Sequence, residues 1–366
     1  MRAPRIFFDH QCFWECYGGV SKYFIELMKQ MPESSIITPK IFTNNEYIGE
    51  ISWIDAHHFL KNYAFRGKAL MTKEFGKIFT LSKMLQGGFD IYHPTHYDCF
   101  GLNLIPKRVK TVATIHDMNF FTIPEYYGCL THNRDAVNQR KMANRVDHII
   151  TVSNQSKKDI MDMWGIPSNR ISVIYHGCNK KKIEELPKGK INNEYILFVG
   201  RRSAYKNFKG ALKAFAIISD RFPGLEFYCA GTPFNRDEMA EIRKLGLINK
   251  CKSISASEST LYNLYRNAIA FCFPSFYEGF GIPILEAMAC QCPVVLSNTS
   301  CFPEIASDAG LYFNPREPED IAEKLEKTLT DSDLRKSLVA KGNERIQEFT
   351  WERSATRHMT VYKSLL

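Results

Sequence analysis

Residues 275–287 read SFYEGFGIPILEA and follow the apolar run IAFCFPS at 269–275. A short run rich in Ile and Phe suits a strand buried on both faces of a parallel sheet. The turn beyond it carries Gly279 and Gly281, and Pro283 fits the first turn of a helix, IPILEAMAC, where its missing N–H costs nothing. Glu278 therefore stands in the loop before a helix, and Glu286, eight residues on, stands within its first turns. A strand that turns directly into a helix is the repeating unit of α/β architecture.

The rest of the chain repeats that unit. Strand-like runs in the first half are RIFF (5–8), FDIYH (89–93), TVATI (111–115), DHIITV (147–152) and ISVIY (171–175). The second half adds YILFVG (195–200), LEFYCAG (225–231) and PVVLS (293–297), with helix-like stretches such as KNFKGALKAFAIISDRF and LYNLYRNA between them. The alternation predicts doubly wound parallel sheets. Composition changes at CNKKKIEELPKGKINNEY (178–195), which is polar and lysine-rich, so residues 181–194 read as a linker. The expected organisation is a domain over 1–180, a second over 195–348, and a terminal helix over 349–366. In open α/β sheets ligands bind at the carboxyl ends of the strands, so the residues just after each strand carry the functional reading.

Composition narrows the class. Of 366 residues 45% are hydrophobic and 24% charged, an ordinary globular balance that can bury two cores. The net charge of +9 favours anionic partners: nucleic acid, anionic lipid or phosphorylated small molecules. No basic patch interleaved with aromatics follows a nucleic-acid-binding module, so nucleic acid is not expected. The 11 cysteines are odd in number, lack C-x-x-C spacing and sit mostly in apolar runs, which predicts reduced, buried thiols rather than disulfides. Residues 1–20 lack the pattern of a signal peptide, and no stretch approaches the ~20 apolar residues of a membrane span. The expected location is the cytoplasm.

Four strand ends carry candidate chemistry. After RIFF, Gly18 and Gly19 open a helix; glycines there let an anion approach the amides, although a tight turn explains them equally well. TIHD places His116 and Asp117 at a strand tip, where the histidine can bond a hydroxyl or move a proton, or can pair structurally with Asp117. YILFVG is followed by Arg201 and Lys206, a fork and a point charge that suit a pyrophosphate, against the reading of a solvated basic loop. In the opening stretch, Glu278 and Glu286 can reach opposite ends of one ligand, with backbone amides at Gly279, Phe280 and Gly281 between them. That arrangement suits a sugar nucleotide better than a paired acid and nucleophile.

These residues resemble a known family. YGGVSKY, TIHD, ITVSNQS, VIYHG, VGRRSAYKN and PVVLSNTSCFPE occur in the order seen in the retaining glycosyltransferases of the GT-B fold, family four. The most specific mark is E-x7-E, here Glu278 to Glu286, and the resemblance covers essentially the whole chain. It implies two Rossmann-like domains facing across a deep cleft, the first binding acceptor and the second binding nucleotide sugar, with the last helix crossing back to the first. It implies that Glu286 holds the donor ribose, that Glu278 and the amides of Phe280 and Gly281 meet the donor sugar, and that Arg201 and Lys206 neutralise the diphosphate. Gly18 and Gly19 would approach the same diphosphate, with His116 near the donor sugar. The chain departs from the pattern in lacking a glycine in KSISASEST, in carrying Asn179 where aspartate is frequent, and in placing Arg202 beside Arg201, so that either arginine could face the phosphate.

The implied activity is transfer of a hexosyl group, mannosyl first, from a GDP- or UDP-hexose to a glycan or lipid-linked acceptor in surface polysaccharide or glycoconjugate synthesis, with retained configuration. Alternatives of related fold are a sugar-nucleotide epimerase or a non-catalytic nucleotide-sugar-binding protein. The one D-x-D, Asp331–Ser332–Asp333, reads as a helix N-cap, so no metal is expected. Residues 57–88 are basic and aromatic, with Lys61, Arg66, Lys68, Lys73, Lys77 and Lys83 against Glu74, and Met71, Phe75, Ile78 and Leu85 at helical spacing. Two readings stay open. One is an element docked on an anionic membrane, placing the protein on the inner face of the plasma membrane; the other is an amphipathic helix with a solvated basic face.

Overall fold

A computed structural model describes residues 2–14, 18–58, 60, 63, 65–127 and 133–366. Tyr17 of the glycine turn and Lys61 of the basic segment lie outside the described residues. The chain forms two compact units, one of residues 1–177 with 351–366, the other of residues 178–350.

The first unit holds a six-stranded sheet of β1 (Ile6–Phe8), β2 (Ile36–Ile37), β5 (Ile91–His93), β6 (Lys110–Ile115), β7 (His148–Thr151) and β8 (Ile171–Val173). Between β2 and β5 in the chain, β3 (Ile41–Thr43) and β4 (Ala56–His58) pair with each other. The sheet order is β2-β1-β5-β6-β7-β8 and every pairing is parallel. Residues of β1 and β5 are buried throughout because helices cover both faces, which is why their sequences are unbroken apolar runs. The helix Gly19–Lys29 packs Tyr23, Phe24 and Leu27 against β1, and the terminal helix Trp351–Ser364 adds Trp351, Ala355 and Tyr362 to the same core.

The second unit holds β9 (Tyr195–Val199), β10 (Glu226–Ala230), β11 (Cys251–Ile254), β12 (Ala270–Phe273), β13 (Val294–Ser297) and β14 (Gly310–Phe313), in the order β11-β10-β9-β12-β13-β14, again all parallel. The chain order thus reverses between β9 and β12, the Rossmann arrangement, and the loops after these two strands lie side by side. A backbone hydrogen bond from the Phe276 amide to the Tyr205 carbonyl, 2.9 Å, ties them. Both units are Rossmann-like α/β domains.

Residues 181–194 group with the second unit. They carry part of the helix Lys180–Glu185, capped by Asn179, with Ile183 buried. Arg266 donates to the carbonyls of Ile183 and Pro187, so this polar segment is tied to its unit by side-chain hydrogen bonds to its backbone as well as by the buried Ile183.

Candidate active site

At the reversal point of the second unit, Gly200 ends β9 with φ +116°, a conformation that disfavours any side chain. The turn beyond it presents Arg201 to solvent, whereas Arg202 folds back with its side chain 3% exposed. Arg202 Nε donates to Glu238 Oε1 at 2.9 Å, and Nη2 donates to the carbonyls of Thr232 and Pro233 at 2.8 and 2.9 Å. Its guanidinium also lies over the rings of Phe208 and Phe234. The two arginines that the sequence leaves equivalent are therefore different: one is anchored, one faces outward.

Lys206, at the end of the same turn, forms an ion pair with Glu278 from the loop after β12. Both side chains are largely sheltered, and Lys206 Nζ sits 5.3 Å from the ring centres of Tyr205 and Phe273. A carboxylate and an ammonium held together beside two strand ends make a site that can exchange one partner for an anion and the other for hydroxyls.

The Glu278 loop is fixed from a third strand. After β13, Ser300 adopts φ +56°, accepts the Glu278 amide at 3.2 Å and donates its hydroxyl to the Glu278 carbonyl at 2.6 Å. The Cys301 thiol reaches the carbonyls of Glu278 and Phe280, each at 3.2 Å. Gly281 caps the helix Ile282–Ala289 with φ +90°, and a Cβ there would meet Ile284 Cδ1 at 3.0 Å. Gly279 and Phe280 are buried in this turn. Glu286 lies one to two turns into the helix and is 8% exposed. It stands near Tyr262 and Tyr265, whose hydroxyl pKa values rise through burial first and the Glu286 charge second.

In the first unit, Gly18 is extended and caps the helix Gly19–Lys29, and a Cβ on Gly19 would meet nothing within 4 Å. Neither glycine is forced by the backbone, so their effect is to leave a helix N-terminus uncovered. His116 follows β6, and its amide donates to the Tyr97 hydroxyl at 3.2 Å. Its ring packs edge-on against Tyr23, 4.8 Å between centres, and stacks on His176. Burial, with smaller contributions from His96 and His358, pushes its pKa down to about 3, and Nε2 is buried without a hydrogen-bond partner among the described residues. His116 is thus a neutral ring suited to a hydroxyl, not a cation. Asp117 Oδ1 accepts the Asn119 amide at 3.2 Å, fixing the next turn.

Ser300, Cys301, Glu238 and the anchoring role of Arg202 carry no signal in the sequence, because each acts through a non-local contact. Asp331 accepts the amides of Asp333 and Leu334, so the D-x-D is the helix cap that its position suggests.

Two family models match the chain: glycosyl transferases group 1 over residues 180–345, and Glycosyltransferase Family 4 over residues 17–182. The chain is similar to O-antigen chain mannosyltransferase B of Escherichia coli, with 28% identity over 386 residues, 95% of this chain and 96% of that protein. It is also similar to O-antigen chain mannosyltransferase RfbU of Salmonella typhimurium, 31% identical over 218 residues, 59% of this chain and 60% of that one. Among solved structures, Anabaena Alr3699/HepE in complex with UDP and glucose superposes with a TM-score of 0.75 at 17% identity, covering 100% of both chains.

Proposed function

Because the chain belongs to the family-four glycosyltransferases of the GT-B fold, we propose that it moves a hexosyl group from a nucleotide sugar to a glycan or lipid-linked acceptor in surface polysaccharide or glycoconjugate synthesis. Mannosyl from GDP-mannose is the first candidate and a UDP-hexose the second. The names of the two O-antigen mannosyltransferases favour the former, and the UDP complex of the Anabaena protein keeps the latter in play.

The observation that carries this reading is the Lys206–Glu278 pair at the strand reversal. On donor binding, diphosphate oxygens take the place of the carboxylate beside Lys206, with Arg201 as second cation. Glu278 is then released to accept hydrogen bonds from sugar hydroxyls, alongside the amides of Phe280 and Gly281. Glu286, deeper in the helix, holds the ribose hydroxyls. Within the first unit, the helix end at Gly18 and Gly19 has the chemistry to bind a phosphate, and neutral His116 that to bond a sugar hydroxyl.

Fixed cations and amides stabilise the charge that develops on the leaving diphosphate. The anomeric C–O bond breaks toward the phosphate, the acceptor oxygen attacks from the same face, and its proton passes to the departing phosphate oxygen. Configuration is retained without a covalent enzyme intermediate. With the D-x-D used as a cap, no divalent ion is required; loss of turnover in EDTA with recovery on adding one would contradict this.

A thermal-shift panel of GDP, UDP, GDP-mannose and UDP-hexoses tests the reading. A donor at 100 times its Kd should stabilise the protein by about 2.7 kcal/mol. No shift with any nucleotide or nucleotide sugar would overturn it, and an inverted product linkage by NMR would overturn the mechanism.

A further inference from the structure

Strands β12 and β13 pair in register up to Phe273 and Leu296. Beyond Phe273 the exit segment of β12, residues 274–280, has no regular secondary structure. Its sheltered carbonyls still need donors. Side chains from the exit of β13 supply them. Ser297 donates to the Phe273 carbonyl at 3.4 Å, and Thr299 donates to the Phe276 carbonyl at 3.1 Å. Ser300 and Cys301 continue the series at Glu278 and Phe280. Four side chains between 297 and 301 thus hold the loop that carries Glu278.

Ser300 makes this contact from a strained backbone. Its φ of +56° lies in the left-handed region, which disfavours a residue with a Cβ. From there one hydroxyl serves both main-chain polar groups of Glu278, accepting its amide and donating to its carbonyl. The Cys301 thiol is fully buried. Burial first, and the Glu278 charge second, hold it well above the usual thiol range, so it stays protonated and can donate. No peptide bond among the described residues is cis, so each C=O points opposite to the next N–H. Pinning the Glu278 and Phe280 carbonyls on Ser300 and Cys301 therefore turns the Gly279 and Gly281 amides to the other side of the loop. In the sheet β12 lies between β13 and β9, and that other side is the one on which Glu278 meets Lys206.

We propose that, for the sugar transfer proposed above and resting on that reading, Ser300 together with Cys301 is a positioning residue. It sets the direction of the Glu278 side chain and of the Gly279 and Gly281 amides without touching the donor itself. With its main chain pinned on both sides, Glu278 has only side-chain torsions left with which to reach a hydroxyl. Amides already aimed need no reorganisation as charge develops. If packing alone mattered at position 300, glycine would adopt the same φ without strain. Serine at positive φ, beside the candidate site, keeps a hydroxyl where glycine has none.

The test compares Ser300→Ala, which removes the hydroxyl and keeps the strain, with Ser300→Gly, which removes both. Peptide-resolved amide exchange over residues 276–281 should speed by about tenfold in each variant. Hydrolysis of GDP-mannose and of UDP-glucose without acceptor supplies a rate. For the donor that the wild type cleaves, kcat should fall by about tenfold to a hundredfold in both variants, with KM and the affinity for free GDP or UDP unchanged. The glycine variant should nevertheless melt at or above the alanine variant. Cys301→Ala should lower kcat in the same way, and Cys301→Ser, which keeps a donor, should restore it. Unchanged exchange would overturn the clamp. A wild-type kcat in Ser300→Gly, or rates that follow melting temperature across the set, would make Ser300 structural only. Loss of nucleotide affinity in step with kcat would make it part of the donor grip and overturn the positioning role. A wild type that neither binds GDP or UDP nor cleaves either donor would overturn the transfer reading, and the positioning role with it. Failure confined to the Ser300 and Cys301 variants would leave the transfer reading standing.

Discussion

Arg202 and Glu238 form an ion pair beneath the loop after β10, 2.9 Å from Nε to Oε1, with the side chains 3% and 12% exposed. Its neighbour Arg201 is exposed and makes no side-chain hydrogen bond or ion pair among the described residues. The two should fail differently. Arg202→Met leaves Glu238 without its cation and two carbonyls without a donor, which should lower stability by about 3 kcal/mol in denaturant titration. Arg201→Met should leave the unfolding curve in place and lower turnover. Equal destabilisation by both variants would show that exposure does not separate their roles.

Lys206 is already neutralised by Glu278 before any ligand arrives, which gives the pair an asymmetric response. In Glu278→Ala the ammonium loses its competitor, so affinity for free nucleoside diphosphate should hold or rise a few-fold, while turnover falls by about a hundredfold. Lys206→Met should weaken diphosphate binding by about tenfold or more, a charge-assisted bond being worth about 1.5–3 kcal/mol. Titration calorimetry with the free nucleotide, beside steady-state rates, separates the two. If Glu278→Ala weakens free-nucleotide binding as much as Lys206→Met, Glu278 grips the diphosphate side and its assignment to the sugar is wrong.

Glu286 lies where the helix Ile282–Ala289 approaches Tyr262 and Tyr265. If it holds the ribose, Glu286→Gln should weaken free nucleotide and full donor by the same factor, about tenfold to a hundredfold. It should weaken 2′,3′-dideoxy nucleotides hardly at all. A variant that discriminates against the full donor alone would place Glu286 on the sugar side instead.

The strands beside the site were the legible part of this fold. All nine runs read as strands are strands, each end within two residues, because strands covered on both faces leave unbroken apolar text. The strands outside those runs, β2, β3, β4, β11 and β14, are only two to four residues long and partly exposed. Glu278 and Lys206 could each be placed at a strand end, but their pairing depends on sheet order, which is non-local. Arg201 and Arg202 are adjacent and chemically identical, and only Phe208, Phe234 and Glu238 distinguish them. Periodicity revealed the helix over Lys68–Gln86 but not which side faces in. Gly76 against His10 settles that, across 66 residues of chain.

The terminal helix is held to the first unit by a buried relay with a pH signature. Tyr362 bonds His93 at 2.7 Å, His93 bonds Thr114 at 3.0 Å, Thr114 meets Tyr23 at 3.3 Å, and Tyr23 bonds His358 Nε2 at 2.7 Å. His358 Nδ1 faces the Ser354 carbonyl at 2.8 Å and must carry its proton, so Nε2 is the acceptor for the Tyr23 hydroxyl. Burial pulls the His358 pKa down to about 4, with the Ser354 carbonyl opposing it slightly. Unfolded histidine titrates near 6.5, so between that value and about 4 the unfolded chain binds a proton that the folded chain refuses. Stability should therefore be full above about pH 6.5 and fall as pH drops toward 4, by about 3 kcal/mol for this residue. His116, pushed to about 3, acts in the same direction. Melting temperatures of wild type and His358→Gln between pH 7.5 and 5 should converge as pH falls, the variant having one fewer proton to refuse. Parallel curves would mean that His358 titrates alike in both states and that the relay does not keep it neutral.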